Sequence, residues 1–331
     1  MDRISVIVPC RNEEKYISDF IGSILANDYP KEDIEIFFID GRSTDNTQII
    51  VKDYENKFDF IKLLINEKRT VPFALNMGIK ASTGKYIIRL DAHSQIPNNY
   101  FSELIKWAKE LNTDNIGTIC ITDVKNNNPK SNAIKKVLSN RFGVGNSFFR
   151  IGVNEIMEVD HVPFGCYKRE VFEVYGCFNE KLNRNQDIEL NKRISSHGGR
   201  IFLIPNIFSI YFARETYSAL ARNNFNNGFW NILTVYITKK IKSLSLRHFI
   251  PLIFILSLTL PVLLSFWFPI LGVITVLSLI SYLFVITSIS LKINDNTTSF
   301  FHIFFAFLTL HFSYALGSIT GLFKLNYIWN D

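Results

Sequence analysis

Charge is missing from three long stretches of this chain. Among its 331 residues, positions 249–268, 270–291 and 300–323 contain no Asp, Glu, Lys or Arg, and each reaches the ~20 apolar residues that a helix needs to cross a bilayer. A carrier of polar solutes is thereby excluded, since no charged group inside the spans would pair with a cargo. The third run carries His302 and His311, for which the plain reading is a headgroup position and a neighbouring helix. Cysteine is scarce as well. Cys10, Cys120, Cys166 and Cys177 form no CxxC pair and no zinc-type array with histidine, so a metal ribbon or a disulfide framework is not expected, and the thiols are expected to be reduced. No GxGxxG follows the first strand-like run and no GxxxxGK[ST] occurs, which removes the dinucleotide and P-loop cradles. Any phosphate bound here would need a metal to do more of the work. A signal peptide is not expected, because the apolar part of MDRISVIVPCRNEE is short and soon interrupted.

What is present begins with a basic excess. The net charge is +6, but Lys239, Lys240, Lys242 and Arg247 cluster just before the first apolar run, so attraction to anionic lipid accounts for the excess without nucleic acid. The same cluster, by the bias of positive charge, places that end and the preceding soluble region in the cytoplasm. Lys292 agrees with this and Lys324 does not. The expectation is a multi-pass protein of the cytoplasmic (inner) membrane, its first two passes joined by a tight hairpin at Trp267, Phe268 and Pro269.

The first two thirds alternate between two periodicities. Arg3 to Val8 (RISVIV) and Ile34 to Ile39 (IEIFFI) are continuous apolar runs, as expected for strands buried on both faces. From Asn12, residues Tyr16, Ile17, Phe20, Ile21, Ile24 and Leu25 recur at helical spacing. A helix through Ile49, Ile50 and Tyr54, a strand near Phe60 to Ile65, a helix from about Pro72 to Ala81 and a strand from Lys85 to Leu90 continue the series. Strand, helix, strand, helix argues for an α/β fold with a parallel sheet covered on both faces. In such sheets ligands bind beyond the carboxyl ends of the strands. Those ends carry Pro9 to Glu13, Asp40 to Ser43, Asn66 to Thr70, and Asp91 to His93.

In RLDAHSQIP, Arg89 to Pro97, the last of these strands ends in a carboxylate and an imidazole two residues apart, and residues so spaced leave an extended chain on one side. Such a pair can hold a divalent cation that also binds phosphate oxygens; read alone, Asp91 equally well caps a turn while His93 packs. Asp40 could accept a hydrogen bond from a nucleobase or serve as a turn residue. Lys68 and Arg69 suit a diphosphate or a solvated surface. Asp187 and Glu189 open a helix running to Gly198 and Gly199, where they favour the helix dipole, and Asp187 could also take a proton from a hydroxyl.

Together, VIVPCRNEE, FFIDGRSTDNT, PFALNMGIKASTGKYIIRLDAHS and VPFGCYKREVFEVYGCFNEKLNRNQDIELNKRI resemble the family-2 glycosyltransferases of GT-A fold. More narrowly, the set is similar to the membrane-associated enzymes of succinoglycan-type exopolysaccharide assembly. The resemblance runs in order from about Ile4 to Ile204. It implies that Pro9, Arg11, Glu13, Asp40, Arg69 and Asp91 bind the nucleotide sugar, with Asp40 on the base and Arg69 near the diphosphate. It places Asp91 and His93 at the family's Asp-x-Asp metal motif, for Mn2+ or Mg2+, and Asp187 at the general base. Three positions depart from the family pattern: His93 replaces the second aspartate, Gln186 stands where Glu is frequent, and Asn179 stands in a usual Phe-Asp-Glu. The implied reaction is transfer, with inversion, of one sugar from a nucleotide-diphosphate sugar to a hydroxyl of a lipid-linked (polyprenyl diphosphate) glycan in bacterial extracellular or surface polysaccharide assembly.

The resulting domain plan is a GT-A catalytic domain at 1–212, an amphipathic interfacial helix at 213–245 and a transmembrane region at 246–325. The processive synthases' Gln-x-x-Arg-Trp motif is absent before the first pass, which favours one sugar per encounter. A polyprenyl-phosphate sugar transferase and a silent membrane scaffold of the same fold are the rival readings. Residues 122–159, Asn-rich with Gly143 and Gly145, follow no periodicity.

Overall fold

The computed structural model describes residues 1–324. Strands are β1 (Ile4–Cys10), β2 (Ile34–Asp40), β3 (Ile61–Ile65), β4 (Tyr86–Arg89), β5 (Ser94–Gln95), β6 (Asn115–Asp123), β7 (Met157–Glu158), β8 (Cys166–Lys168) and β9 (Ile201–Phe212). Helices are α1 (Ile17–Leu25), α2 (Thr47–Glu55), α3 (Val71–Ala81), α4 (Tyr100–Glu110), α5 (Pro129–Leu138), α6 (Arg141–Val144), α7 (Phe148–Ile151), α8 (Glu170–Val174), α9 (Gln186–Ser196), α10 (Tyr217–Thr238), α11 (Ile250–Leu264), α12 (Ile270–Ile293) and α13 (Phe300–Leu322). They group into two compact units, residues 1–121 with 148–212, and residues 122–147 with those from 213 on. The sequence plan treats 1–212 as continuous; the segment 122–147 instead clusters with the helical unit.

In the first unit the strand order is β3-β2-β1-β4-β8-β6-β9-β5, with β7 beside β9. β3, β2, β1 and β4 are parallel. Alternation along β1 sends Ile4, Val6 and Val8 to one face, with Phe20, Ile24, Phe38 and Leu104, and Ile7 to the other, with Ile39, Leu75, Ile79 and Leu190. Each such side chain contributes about 1.5–3 kcal/mol by leaving water. Beyond β4 the sheet turns antiparallel, at β8 against both β4 and β6. That half combines the short β5, β7 and β8 with the longer β6 and β9. α1 starts at Ile17 rather than at Asn12. Asn12 adopts φ 58°, and its side chain accepts from the Thr44 N–H at 2.8 Å, which holds the stretch before the helix as an open loop.

The second unit is built around α13. Ala133, Ile134 and Val137 of α5 and Tyr282 and Ile286 of α12 pack with Ile303, Ala306, Phe307 and Leu310. α10 pairs with α13 along its length. The Tyr217 hydroxyl meets His302 Nδ1 at 2.9 Å, Asn231 bonds the Tyr314 hydroxyl, and Tyr236 donates to the Leu322 carbonyl at 3.1 Å. Small residues permit the approach: a Cβ on Gly317 would come to 1.9 Å from the Phe225 carbonyl oxygen, and one on Gly228 to 2.0 Å from that of Tyr314. The segment read as an interfacial helix is thus, in its helical part, a member of this bundle. The reason is pairing: Asn224, Asn231 and Thr234, polar in sequence, are buried. Among the described residues, three helices are long and apolar enough to cross a membrane, at 246–264, 270–293 and 300–322. Both histidines of α13 are partnered, His311 with the Tyr282 hydroxyl and the Phe142 carbonyl, each at 3.0 Å.

Candidate active site

The parallel register aligns four strand ends. Cys10 pairs with Asp40, Asp40 with Ile65, and Ile7 with Arg89, so the loops that follow open on one cleft of about 330 Å³. Pro9, Arg11 and Glu13 line it from β1, Gly41 from β2, Asn66, Arg69 and Thr70 from β3, and Arg89, Asp91 and His93 from β4. Six of the sequence candidates, Pro9, Arg11, Glu13, Arg69, Asp91 and His93, therefore meet here. Asn12, Arg42, Arg69 and Asn185, on loops at this end, all hold positive φ, a backbone state that costs non-glycine residues energy and concentrates at functional sites.

The loops are tied together before any ligand arrives. Glu13 N–H donates to Thr47 Oγ1 at 2.8 Å and Asn12 N–H to Ser43 Oγ at 2.9 Å. Arg11 lies across Gly41, where a Cβ would stand 3.4 Å from Arg11 Cδ and 3.6 Å from Arg69 Cα. Asn66 shapes the third loop, donating to the Thr70 carbonyl at 2.8 Å and accepting from Lys68 N–H at 3.1 Å. Of the two cations considered for a diphosphate, Arg69 lines the cleft, while the Lys68 ammonium sits over the Phe73 ring.

Asp40 is fully buried. Its Oδ1 accepts from Ser43 N–H at 2.9 Å and Gln48 Nε2 at 2.6 Å, and its Oδ2 from the Ser43 hydroxyl. These partners use the carboxylate to fix the turn after β2, and Asp40 is not among the groups lining the cleft. A contact of Asp40 with the base is what the family resemblance implied; the sequence alone left it open between that role and a turn residue.

At the mouth of β4, Glu13 Oε1 lies 3.1 Å from His93 Nδ1. A carboxylate only accepts, so this nitrogen carries the hydrogen, as in the outer-shell arrangement that orients metal-binding histidines. Asp91 gives Oδ1 to Arg89 at 3.0 Å, which leaves its second oxygen for an ion. Among the described residues no group of three or more His, Cys, Asp or Glu is placed to hold a metal. Asp91 and His93, one carboxylate and one imidazole on the same cleft, are the residues that would hold an ion there, its shell completed by substrate phosphate. Tyr16 and Tyr211 rings flank His93 at 6.3 and 5.4 Å.

Asp187 opens α9, where its Oδ1 accepts its own helix's Ile188 N–H at 2.9 Å and its Oδ2 accepts from Arg89 Nη1 at 2.8 Å. Burial alone would raise this carboxyl, but the Arg89 charge, nearby His161 and these two hydrogen bonds outweigh it and hold the group below the ordinary carboxylate range. Asp187 is thus a carboxylate at neutral pH. Asp187 does not itself line the cleft; Arg89, which does, connects it. Sequence reasoning passed over Arg89, although its place two residues before Asp91 already put both side chains on one side of the strand. The Asn179 departure is accommodated: Asn179 Oδ1 accepts from Lys181 N–H at 3.0 Å, while Asn76 bonds the Phe178 backbone and Glu180 Oε1 at 2.9 to 3.0 Å.

The model of glycosyl transferase family 2 matches residues 5–176. A dolichyl N-acetyl-α-D-glucosaminyl phosphate 3-β-D-2,3-diacetamido-2,3-dideoxy-β-D-glucuronosyltransferase of Methanococcus voltae is 29% identical over 71% of this chain and 78% of the relative. Succinoglycan biosynthesis protein ExoA of Rhizobium meliloti is 26% identical over 67% of each. Among solved structures, a mannosyltransferase of Pyrobaculum calidifontis in complex with GDP-mannose and Mn2+ superposes with a TM-score of 0.62 at 17% identity, over 98% of this chain and 88% of that one.

Proposed function

For this chain, which belongs to glycosyl transferase family 2 and is a glycosyltransferase of GT-A fold, we propose metal-dependent, inverting transfer of one sugar from a nucleotide-diphosphate sugar to a hydroxyl of a lipid-linked glycan during surface polysaccharide assembly. The observation that carries the proposal is the convergence of Arg69, Asp91 and His93 in one cleft at the carboxyl ends of four parallel strands, with Asp187 joined to it through Arg89. Arg11 and Arg69 face the diphosphate as charge-assisted donors. Pro9, Glu13 and Gly41 shape the nucleotide end, where Asp40, held by Ser43 and Gln48, meets the base. Asp91 and His93 hold a divalent ion, Mn2+ or Mg2+, which when bound neutralises charge on the departing diphosphate. The imidazole ligand favours manganese over magnesium. Asp187, ionised, accepts the proton of the attacking hydroxyl, and attack opposite the nucleotide inverts the anomeric centre. Much of the rate comes from holding both substrates in line.

A lipid-linked acceptor is supported by the apolar helices at 246–264, 270–293 and 300–322 and by the name of the Methanococcus relative, which acts on a dolichyl-phosphate-linked sugar. A polyprenyl diphosphate carrier, a catalytic unit facing the cytoplasm and a domain boundary near residue 212 belong to the same proposal. The test is release of nucleotide from a panel of nucleotide sugars by detergent-purified protein, with Mn2+, with Mg2+ and with EDTA. One donor turned over only with metal, and lost in Asp91→Ala, is the expected result. Turnover that is indifferent to EDTA and to Asp91→Ala refutes the metal-dependent reading, and a product carrying its sugar directly on the lipid phosphate identifies a polyprenyl-phosphate sugar transferase instead.

A further inference from the structure

We propose that Arg89 is the positioning residue of this active site, a single guanidinium that fixes the distance between the proton-accepting carboxylate and the metal-motif carboxylate. The inference rests on the reading of Asp187 as the base. Arg89 ends β4, whereas Asp187 opens α9, almost a hundred positions later in the chain. One guanidinium spans both: Nη1 donates to Asp187 Oδ2 at 2.8 Å and Nη2 to Asp91 Oδ1 at 3.0 Å. All three side chains are mostly buried, with 11, 24 and 19% of the Arg89, Asp91 and Asp187 side-chain surfaces exposed, so the pairs are poorly screened and geometrically specific.

Planarity is the property that matters. The two terminal nitrogens of a guanidinium are held in one rigid fork, so fixing one carboxylate fixes the other; a lysine ammonium carries the same charge as a point and cannot impose that relation. The donor is bound at Asp91 and the acceptor hydroxyl is deprotonated at Asp187, so the fork sets the attack distance for the reaction. Apart from Arg89, Asp187 accepts only from the adjacent Ile188 N–H among the described residues, and it lies two residues after Asn185, a residue in the left-handed region. Neutralising the buried charge is a job that lysine could share. Registering the two carboxylates is not.

The experiment compares wild type with Arg89→Lys, Asp187→Asn and their double variant, measuring kcat, donor KM, nucleoside-diphosphate binding and the unfolding midpoint. Arg89→Lys is expected to lower kcat ~100-fold, the scale of an ångström-sized misplacement, with donor KM and nucleotide binding unchanged. Guanidinium ion added to Arg89→Ala is expected to restore part of kcat, which ammonium does not. In the Asp187→Asn background the Arg89→Lys change is expected to add little. Full kcat in Arg89→Lys overturns the proposal, and so does a loss confined to donor KM, which would make Arg89 a donor ligand. If Arg89→Lys does not accumulate folded, Asp187→Glu asks the same question with Arg89 intact: the base is kept but moved by a methylene, and unchanged kcat overturns the proposal. Undiminished turnover in Asp187→Asn defeats the base assignment itself, a result separable from failure of the Arg89 variants alone.

Discussion

Glu13→Gln removes one charge and almost no volume at a point where the structure pairs that charge with His93. Glu13 Oε1 and His93 Nδ1 lie 3.1 Å apart, with about four fifths of each side chain shielded from solvent. A hydrogen bond to a charged acceptor contributes about 1.5–3 kcal/mol and a neutral one about 0.5–1.5. Exchanging carboxylate for amide oxygen therefore forfeits about 1.4 kcal/mol, which is about tenfold in an equilibrium constant. Outer-shell partners of metal-bound histidines are typically worth about 10–100-fold in metal affinity, so the two routes to the number agree at its lower end. The assay is Mn2+ binding followed by the electron paramagnetic resonance signal of free Mn2+, with nucleoside diphosphate present, beside the Mn2+ dependence of turnover. Both half-saturation concentrations are expected to rise about tenfold while kcat at saturating metal changes little. An unaltered Mn2+ affinity in folded Glu13→Gln would refute the claim that Glu13 orients His93 as a ligand.

Three other outcomes follow from the packing. Gly317→Leu forces the α10 and α13 backbones apart, since even a Cβ meets the Phe225 carbonyl at 1.9 Å; a loss of about 1–3 kcal/mol is expected as a lower unfolding midpoint in detergent, and an unchanged midpoint refutes the close crossing. α10 is paired with α13 from Tyr217 to Tyr236, and Asn231 also bonds the Tyr314 hydroxyl and the His248 carbonyl. Asn231→Leu is expected to cost about 1–3 kcal/mol as a lower unfolding midpoint in detergent, and an unchanged midpoint refutes the pairing. Glu35 is the third case. Burial raises its carboxyl, but donors from Ser5, Thr83 and Gly84 outweigh that and lower it. A depressed folded pKa adds stability above the unfolded value of about 4.3 and loses it as pH falls through the folded value. Glu35→Gln is expected to cost about 1.5–3 kcal/mol at pH 7 by urea unfolding, with the two proteins converging at acid pH; a constant difference across pH contradicts the mechanism.

The sequence by itself determined the four parallel strands and the three apolar spans, because both are dictated by local composition. IEIFFI cannot be left in water, and twenty uncharged residues in a row have few alternatives to lipid. It also determined that the chemistry-bearing residues sit at the carboxyl ends of those strands, since strand polarity and chain order leave no other place for Asp91, His93 and Arg69. Tertiary structure decided what each of those groups is occupied with. Asp40 looked free and is engaged by Ser43 and Gln48; Arg89 looked like an ordinary strand residue and joins two carboxylates. α10 looked amphipathic and buries Asn224 and Asn231 within the helical unit. Hydrogen-bond partners, the antiparallel half of the sheet and the grouping of 122–147 with the helical unit all depend on contacts between residues far apart in the chain. Local periodicity carries no record of such contacts, because it reports which face a side chain takes and not what waits on that face.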